Sequence, residues 1–229
     1  MALTPTLTPA AGALARTVAW WIYDTPQYAV EGNIPMTGSA IQWLGEFLRF
    51  GDPTGDLVRL AEGLKDSGGV FFVPAMAGLG APHWDANARG AVFGLARHHT
   101  IAHLARAALD SIAYQVADVF FAMERITGVR FIELRADGGA TRNSALMQFQ
   151  ADVLGKPVLR SADEELSAIG TARLSALALG WFRDLSEVET LAAERDQFEP
   201  GLDANSREQI YGAWQRAVNK VRSAEVACV

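Results

Sequence analysis

Hydrophobic positions recur along this chain with two spacings. Steps of three and four residues mark helices, while alternation or short apolar runs mark strands. Residues 39–50 place Ile41, Leu44 and Leu48 on one face, and residues 54–65 do the same with Leu57, Leu60, Ala61 and Leu64. The longest stripe covers residues 101–125 through Leu104, Ala108, Ile112, Val116, Val119, Phe120 and Met123, at roughly the 3.6-residue helical period. Its many alanines permit close packing. Helices are also expected over 143–155 and 167–179, the latter closed by Gly180. The tail from residue 186 reads as two amphipathic helices. The last carries Ile210, Trp214 and Val218, with Asp203 or Asn205 as its cap. Strands are expected over 16–22 and 27–31, joined by a turn at Asp24-Thr25-Pro26. Further strands fall over 70–73, 91–95, 131–136 and 157–159. Residues 1–13 show no periodicity and predict an unstructured start. Alternating strands and helices imply an α/β layer architecture.

One junction stands out. The apolar run 131–136 leads into Asp137-Gly138-Gly139, and a helical pattern follows with Leu146, Phe149 and Val153 on one stripe. Glycine lets a backbone approach a ligand closely. A helix N-terminus offers unpaired N–H groups and a partial positive charge, which suit phosphates and nucleotides. The same Gly-Gly also serves as a plain connection, so its meaning depends on the residues around it.

Composition narrows the classes. The chain has 229 residues, a net charge of −6 and half its residues hydrophobic, enough for a substantial core. Charges of both signs are interspersed without a basic stripe, which argues against nucleic acid as a partner. The single cysteine, Cys228, excludes an internal disulfide framework and suggests a reducing cytoplasm. No apolar run is long enough to span a bilayer, and the N-terminus lacks a signal-peptide pattern.

Five stretches, taken in order, resemble the carboxy-terminal half of the glycerol kinases, within the FGGY carbohydrate kinase family. They are Tyr28-Ala-Val-Glu-Gly32, Gly38-Ser-Ala-Ile-Gln-Trp-Leu44, Val73-Pro-Ala-Met-Ala-Gly-Leu-Gly-Ala-Pro-His-Trp-Asp85, Ala88-Arg-Gly-Ala-Val-Phe-Gly-Leu95, and Asp137-Gly-Gly-Ala140 with Leu146-Met-Gln-Phe-Gln150. Gly90–Leu95 and the following His103–Asp110 stretch fit the family's second signature, spacer included. His83 stands where the family's loop usually has Tyr. The resemblance covers about residues 12–221.

The resemblance implies an actin-like ATPase domain of ribonuclease H-like topology over residues 14–229, with a central sheet flanked by helices. It implies ATP or ADP as ligand, with Mg²⁺ accompanying the nucleotide. It implies that Gly139 lets the adenosine approach the backbone and that Asn143 hydrogen-bonds the base. It places Gly38 and Gln42 near the same nucleotide. In the family, the catalytic aspartate, the glycerol contacts and a phosphate-binding hairpin lie in a first domain whose motifs this stretch does not contain. No catalytic or metal-ligating residue is therefore expected here. The chain alone is expected to be inactive, with glycerol engaged only when a first domain is present. Dimers and tetramers are common in the family. The competing readings are a non-catalytic binding module and half of another sugar kinase of the same family.

Several candidates carry two roles. Asn143 also suits a helix cap, and Gln42 also suits a solvated helix face. Asp137 could hold a metal-bound water, but a backbone-bracing role in the turn is favoured. Asp85 and Arg89 read as braces of the glycine-rich loop, paired or separate, with a phosphate contact by Arg89 as the other reading. His98, His99 and His103 read as surface and capping residues rather than a zinc site. The six tryptophans read as core or interface, with Trp20 and Trp21 on opposite faces of one strand.

Overall fold

The structure is a computed structural model that describes residues 1–4, 12–22, 24–163, 165–191 and 195–223. The chain forms two compact units, one of Met1–Phe131 with Asp203–Val229 and one of Ile132–Leu202.

The first unit contains β1 (Ala2–Thr4), β2 (Ala15–Ile22), β3 (Thr25–Glu31), α1 (Gly38–Phe47), α2 (Pro53–Glu62), β4 (Phe71–Val73), β5 (Ala91–Phe93) and α3 (Ile101–Thr127). Its last helix is labelled α7 (Ala204–Val221). An antiparallel sheet has the order β1-β3-β2, and β4 pairs antiparallel with β5. The expectation of an unstructured start meets a strand at Ala2–Thr4, whose Leu3 pairs with Ala29. Three residues are too few to show a period, so only the partner strand reveals them. Residues 5–11 of that expectation lie outside the described residues.

Helix α3 is the spine of this unit. It is buried over most of its length, and α1, α2 and β4 pack against it. Ala105, Ala108, Ala113, Ala117 and Ala122 are all buried, which lets neighbours approach closely. Tyr114 stacks on Trp214 of α7 at 5.1 Å between centroids. Leu14, Val30, Ala81, Val119, Ala122 and Met123 form one apolar cluster. Inside the helix, Arg106 and Asp110 form a buried ion pair at 2.8 Å, and Arg106 also donates to Leu64 O at 2.7 Å. Between α1 and α2 the backbones nearly touch. A Cβ on Gly45 would sit 2.1 Å from Pro53 O, so only glycine fits there.

Local chemistry sets the ends of the helices. Asp52 caps α2 by accepting from Gly55 N at 3.0 Å, with Pro53 in the first turn. Gly128 closes α3 in the left-handed region at φ 69°. Asp203 rather than Asn205 caps α7, accepting from the amides of Asn205 and Ser206.

The second unit contains β6 (Leu134–Ala136), a short 3₁₀ turn (Gly139–Arg142), α4 (Ser144–Leu154), β7 (Val158–Ser161), α5 (Leu166–Ala178), α6 (Leu185–Glu189) and β8 (Arg195–Phe198). β6 and β7 are parallel and joined through α4, forming a βαβ crossover. β8 then adds antiparallel to the other edge of β7. Leu146, Met147, Ala151, Val153, Leu154 and Val158 are buried. Asp152 accepts from Gly201 N at 2.6 Å, and Gln148 donates to Glu199 O at 2.7 Å.

One expectation is corrected. The tail holds one long helix and the five-residue α6, and β8 lies between them. The residues of β8, Arg195-Asp-Gln-Phe198, show no apolar alternation and are extended because β7 supplies an edge. Of the two readings for the six tryptophans, core holds for Trp214, while the other five, 38–76% exposed, are left with the interface reading. Trp20 and Trp21 follow a register shift in β2, and both are exposed.

Candidate nucleotide site

The second unit holds the glycine junction. After β6 the backbone turns at Gly138, where φ is 88°, a region that disfavours any Cβ. Gly139 then begins the 3₁₀ turn. Thr141 N and Thr141 Oγ1 both donate to Gly138 O, at 3.0 and 2.7 Å. Thr141, not Asp137, therefore makes the side-chain brace within the turn, and Asp137 is exposed. Asn143 is extended, and its Oδ1 accepts from Leu146 N at 2.8 Å, capping α4. A Cβ at Gly138 or Gly139 would meet nothing within 4 Å. The junction thus presents backbone to open space at the positive end of an 11-residue helix.

The other candidate pair sits on α1 of the first unit. Gly38 is its first residue, preceded by Thr37, whose side chain makes no cap. Gly38 is exposed and a Cβ there would also meet open space. Ala40, Ile41, Leu44 and Gly45 are buried, which leaves Gln42 on the outer face. Gln42 donates to Glu46 one turn on, at 2.9 Å. Each pair is therefore local: Gly38 with Gln42 on one helix start, and Gly139 with Asn143 on another.

The glycine-rich loop is braced from within. Asp85 accepts from Asn87 N and Ala88 N, both at 3.0 Å, and from the N–H and hydroxyl of Ser223. Those Ser223 bonds, the backbone one first, hold the Asp85 carboxyl below its usual range. Arg89 donates to Ala86 O and Ala88 O. It also lines an open apolar groove of about 490 Å³ with Trp43, Phe47, Phe72 and Met76. Two of the three histidines serve the backbone, and His98 packs its ring against His99. His99 Nδ1 accepts from Ala96 N at 2.7 Å, and His103 Nδ1 accepts from Thr100 N at the start of α3. Among the described residues, no cluster of three His, Cys, Asp or Glu could hold a metal ion, and no helix is long and apolar enough to cross a membrane.

Sequence reasoning missed the buried polar groups. Asp118 accepts from Tyr211 Oη at 2.7 Å and Trp214 Nε1 at 2.8 Å. His83 Nε2 lies 3.5 Å from Asp118 Oδ2 and is buried, without the alignment of a hydrogen bond. Burial, then the Asp118 carboxylate, pushes the Tyr211 phenol above its usual range and keeps it a donor. Burial also raises Asp110 to about 6, against the pull of Arg106. The Arg106–Asp110 spacing of four was visible in the sequence. No local pattern joins Asp118 to residues more than 90 positions away.

The sequence pattern of the C-terminal domain of the FGGY family of carbohydrate kinases matches residues 2–179. The chain belongs to this family, and its fold is α/β of the actin-like ATPase class. Among its relatives, a glycerol kinase of Koribacter versatilis is 45% identical over 219 residues, covering 96% of this chain and 44% of that protein. A glycerol kinase of Symbiobacterium thermophilum is 48% identical over 214 residues, covering 93% and 43%. The crystal structure of Plasmodium falciparum glycerol kinase with ADP superposes with a TM-score of 0.86 at 28% identity, covering 96% of this chain and 44% of that one. The chain thus spans less than half the length of the relatives it matches.

Proposed function

We propose that residues 14–229 are the nucleotide-binding half of an ATP-dependent glycerol kinase, which forms glycerol 3-phosphate and ADP. The observation that carries this reading is the β6–turn–α4 junction. Gly138 fixes the backbone, Gly139 leaves its surface open, and Asn143 starts the helix. The 45–48% identity to glycerol kinases supports this substrate class. Gly139 and Asn143 hold the adenosine; the family resemblance also assigns Gly38 and Gln42, on α1 of the first unit, to nucleotide contact. When bound, ATP supplies the phosphoryl group, and Mg²⁺ accompanies its phosphates. Nothing in this chain is assigned the general base, a group typically worth ~10²–10⁴-fold. The chain assayed alone accordingly gives no glycerol phosphorylation. The working enzyme is cytoplasmic and engages glycerol through a first domain.

The test is calorimetric titration with ADP, followed by glycerol kinase assays with and without a first domain from a relative. Saturable ADP binding that Asn143→Ala weakens, with turnover only in the mixture, is the expected result. No ADP binding at millimolar nucleotide would sink the nucleotide reading. Glycerol-dependent turnover by the pure chain would sink the half-enzyme reading.

A further inference from the structure

Arg160 lies on β7, the middle strand of its sheet, with Ala136 and Asp196 as its register neighbours. Ala136 is the last residue of β6 before the glycine junction. The guanidinium contacts both the turn after β6 and Asp196 of β8. Its Nη1 donates to Thr141 O at 3.0 Å and to Ser144 Oγ at 3.1 Å. Its Nε and Nη2 both donate to Asp196 Oδ2, at 3.1 and 2.5 Å. Its plane carbon sits 5.1 Å from the centre of the Phe198 ring, within reach of a cation–π contact. Four directed contacts and an aromatic face hold a side chain that is only 20% exposed.

The two acceptors on the turn flank Asn143. Thr141 O belongs to the 3₁₀ turn, and Ser144 is the first residue of α4. A rigid planar fork can fix both at once, which a flexible ammonium cannot. Asp196 and Phe198 fix the fork in turn. Thr141 Oγ1 is already spent on Gly138 O, and Arg160 joins the turn to the sheet through its own side-chain bonds.

We propose that Arg160 is a positioning residue for the nucleotide site, holding the Gly139–Asn143 turn in its binding shape without touching the ligand. The inference rests on the reading of this turn as the adenosine contact. It assigns Arg160 a role through Thr141 O and Ser144, and makes Asp196 its anchor.

The experiment uses Arg160→Lys, which keeps the charge and loses the fork, and Arg160→Ala. Adenosine and ADP are each titrated well below the melting midpoint of every variant, so that folded protein is what binds. Hydrogen exchange at the amides of Asn143 and Leu146 is followed on the free protein. A loosened turn speeds exchange at both amides and weakens adenosine and ADP by the same factor, about tenfold. Unchanged exchange overturns the proposal. Weaker ADP with unchanged adenosine also overturns it, because Arg160 would then touch phosphate. If the unaltered protein binds neither ligand, the nucleotide reading falls and takes the proposal with it. The exchange data separate that outcome from a failure of the brace itself. Ser144→Ala removes one acceptor and little else, and a smaller loss of the same kind, roughly twofold to fivefold, is expected even if the arginine variants do not fold.

Discussion

The two units each contain an arginine that grips an aspartate and a backbone carbonyl, and the two are buried to different depths. Arg106 with Asp110 lies inside α3, with side chains 10% and 5% exposed. Arg160, on the middle strand β7, pairs with Asp196 on the edge strand β8, with side chains 20% and 66% exposed. The donor chemistry is the same, but the consequences differ. In the interior, a charge without its partner costs far more than the pair gains. Near water, the pair itself contributes little, and geometry is what it provides. The buried pair therefore secures the fold, while the exposed one sets the shape of a turn.

The largest expected effect comes from breaking the buried pair. Arg106→Ala strands the Asp110 carboxylate and the Leu64 carbonyl and costs about 3–5 kcal/mol, read by urea denaturation. A loss under about 1 kcal/mol would place the pair with the exposed one and erase the comparison. Next is its pH dependence. Asp110 titrates near 6 in the folded chain, above the ordinary 3.8, chiefly through burial. The folded protein therefore keeps a proton that the unfolded one releases. Its contribution is full below the unfolded value and is lost as pH rises through about 6. Relative to Asp110→Asn, the unaltered protein should gain up to about 2–3 kcal/mol on going from pH 7 to pH 4. A difference that stays flat over that range would refute it.

The two helix starts sharpen the contrast on a smaller scale. Gly138→Ala forces a Cβ into a positive-φ extended conformation that is essentially restricted to glycine, and costs about 1–3 kcal/mol. Gly38→Ala, in open space at the start of α1, changes stability by no more than about 0.5 kcal/mol. Equal losses in thermal melts would show that both glycines answer to the same constraint. Asn143→Ala removes the α4 cap at about 1 kcal/mol. Least of all, Asp196→Asn costs under about 1 kcal/mol and less still in high salt. A salt-independent loss above 2 kcal/mol would mean that this pair is effectively buried.

Much of this was legible in the chain. The α3 stripe, the α1 face and the βαβ order followed from periods and turn residues, because those signals are local. Gly139 and Asn143 lie in one turn, and the helix cap expected of Asn143 is there. The requirement for glycine through backbone angle falls on Gly138 instead, since Gly-Gly does not reveal which residue bends. Arg160 left no trace, because its partners are 16 to 36 positions away. Asp118 was silent for the same reason. The tryptophans stayed divided between core and interface in the sequence, because apolar neighbours on a short strand or helix do not say which face meets water.

The first unit is interrupted: residues 1–131 await 203–229. On the ribosome that separation is a delay. Tyr211 follows Asp118 by 93 positions, and synthesis at about 5–20 residues per second takes roughly 5–20 s to cover them. Throughout that interval the nascent α3 carries a carboxylate designed for burial, with neither of its two donors yet made. The unit must therefore finish folding late, after the second unit has already emerged. Its central helix is the part of the newborn chain with most reason to be shielded by a chaperone.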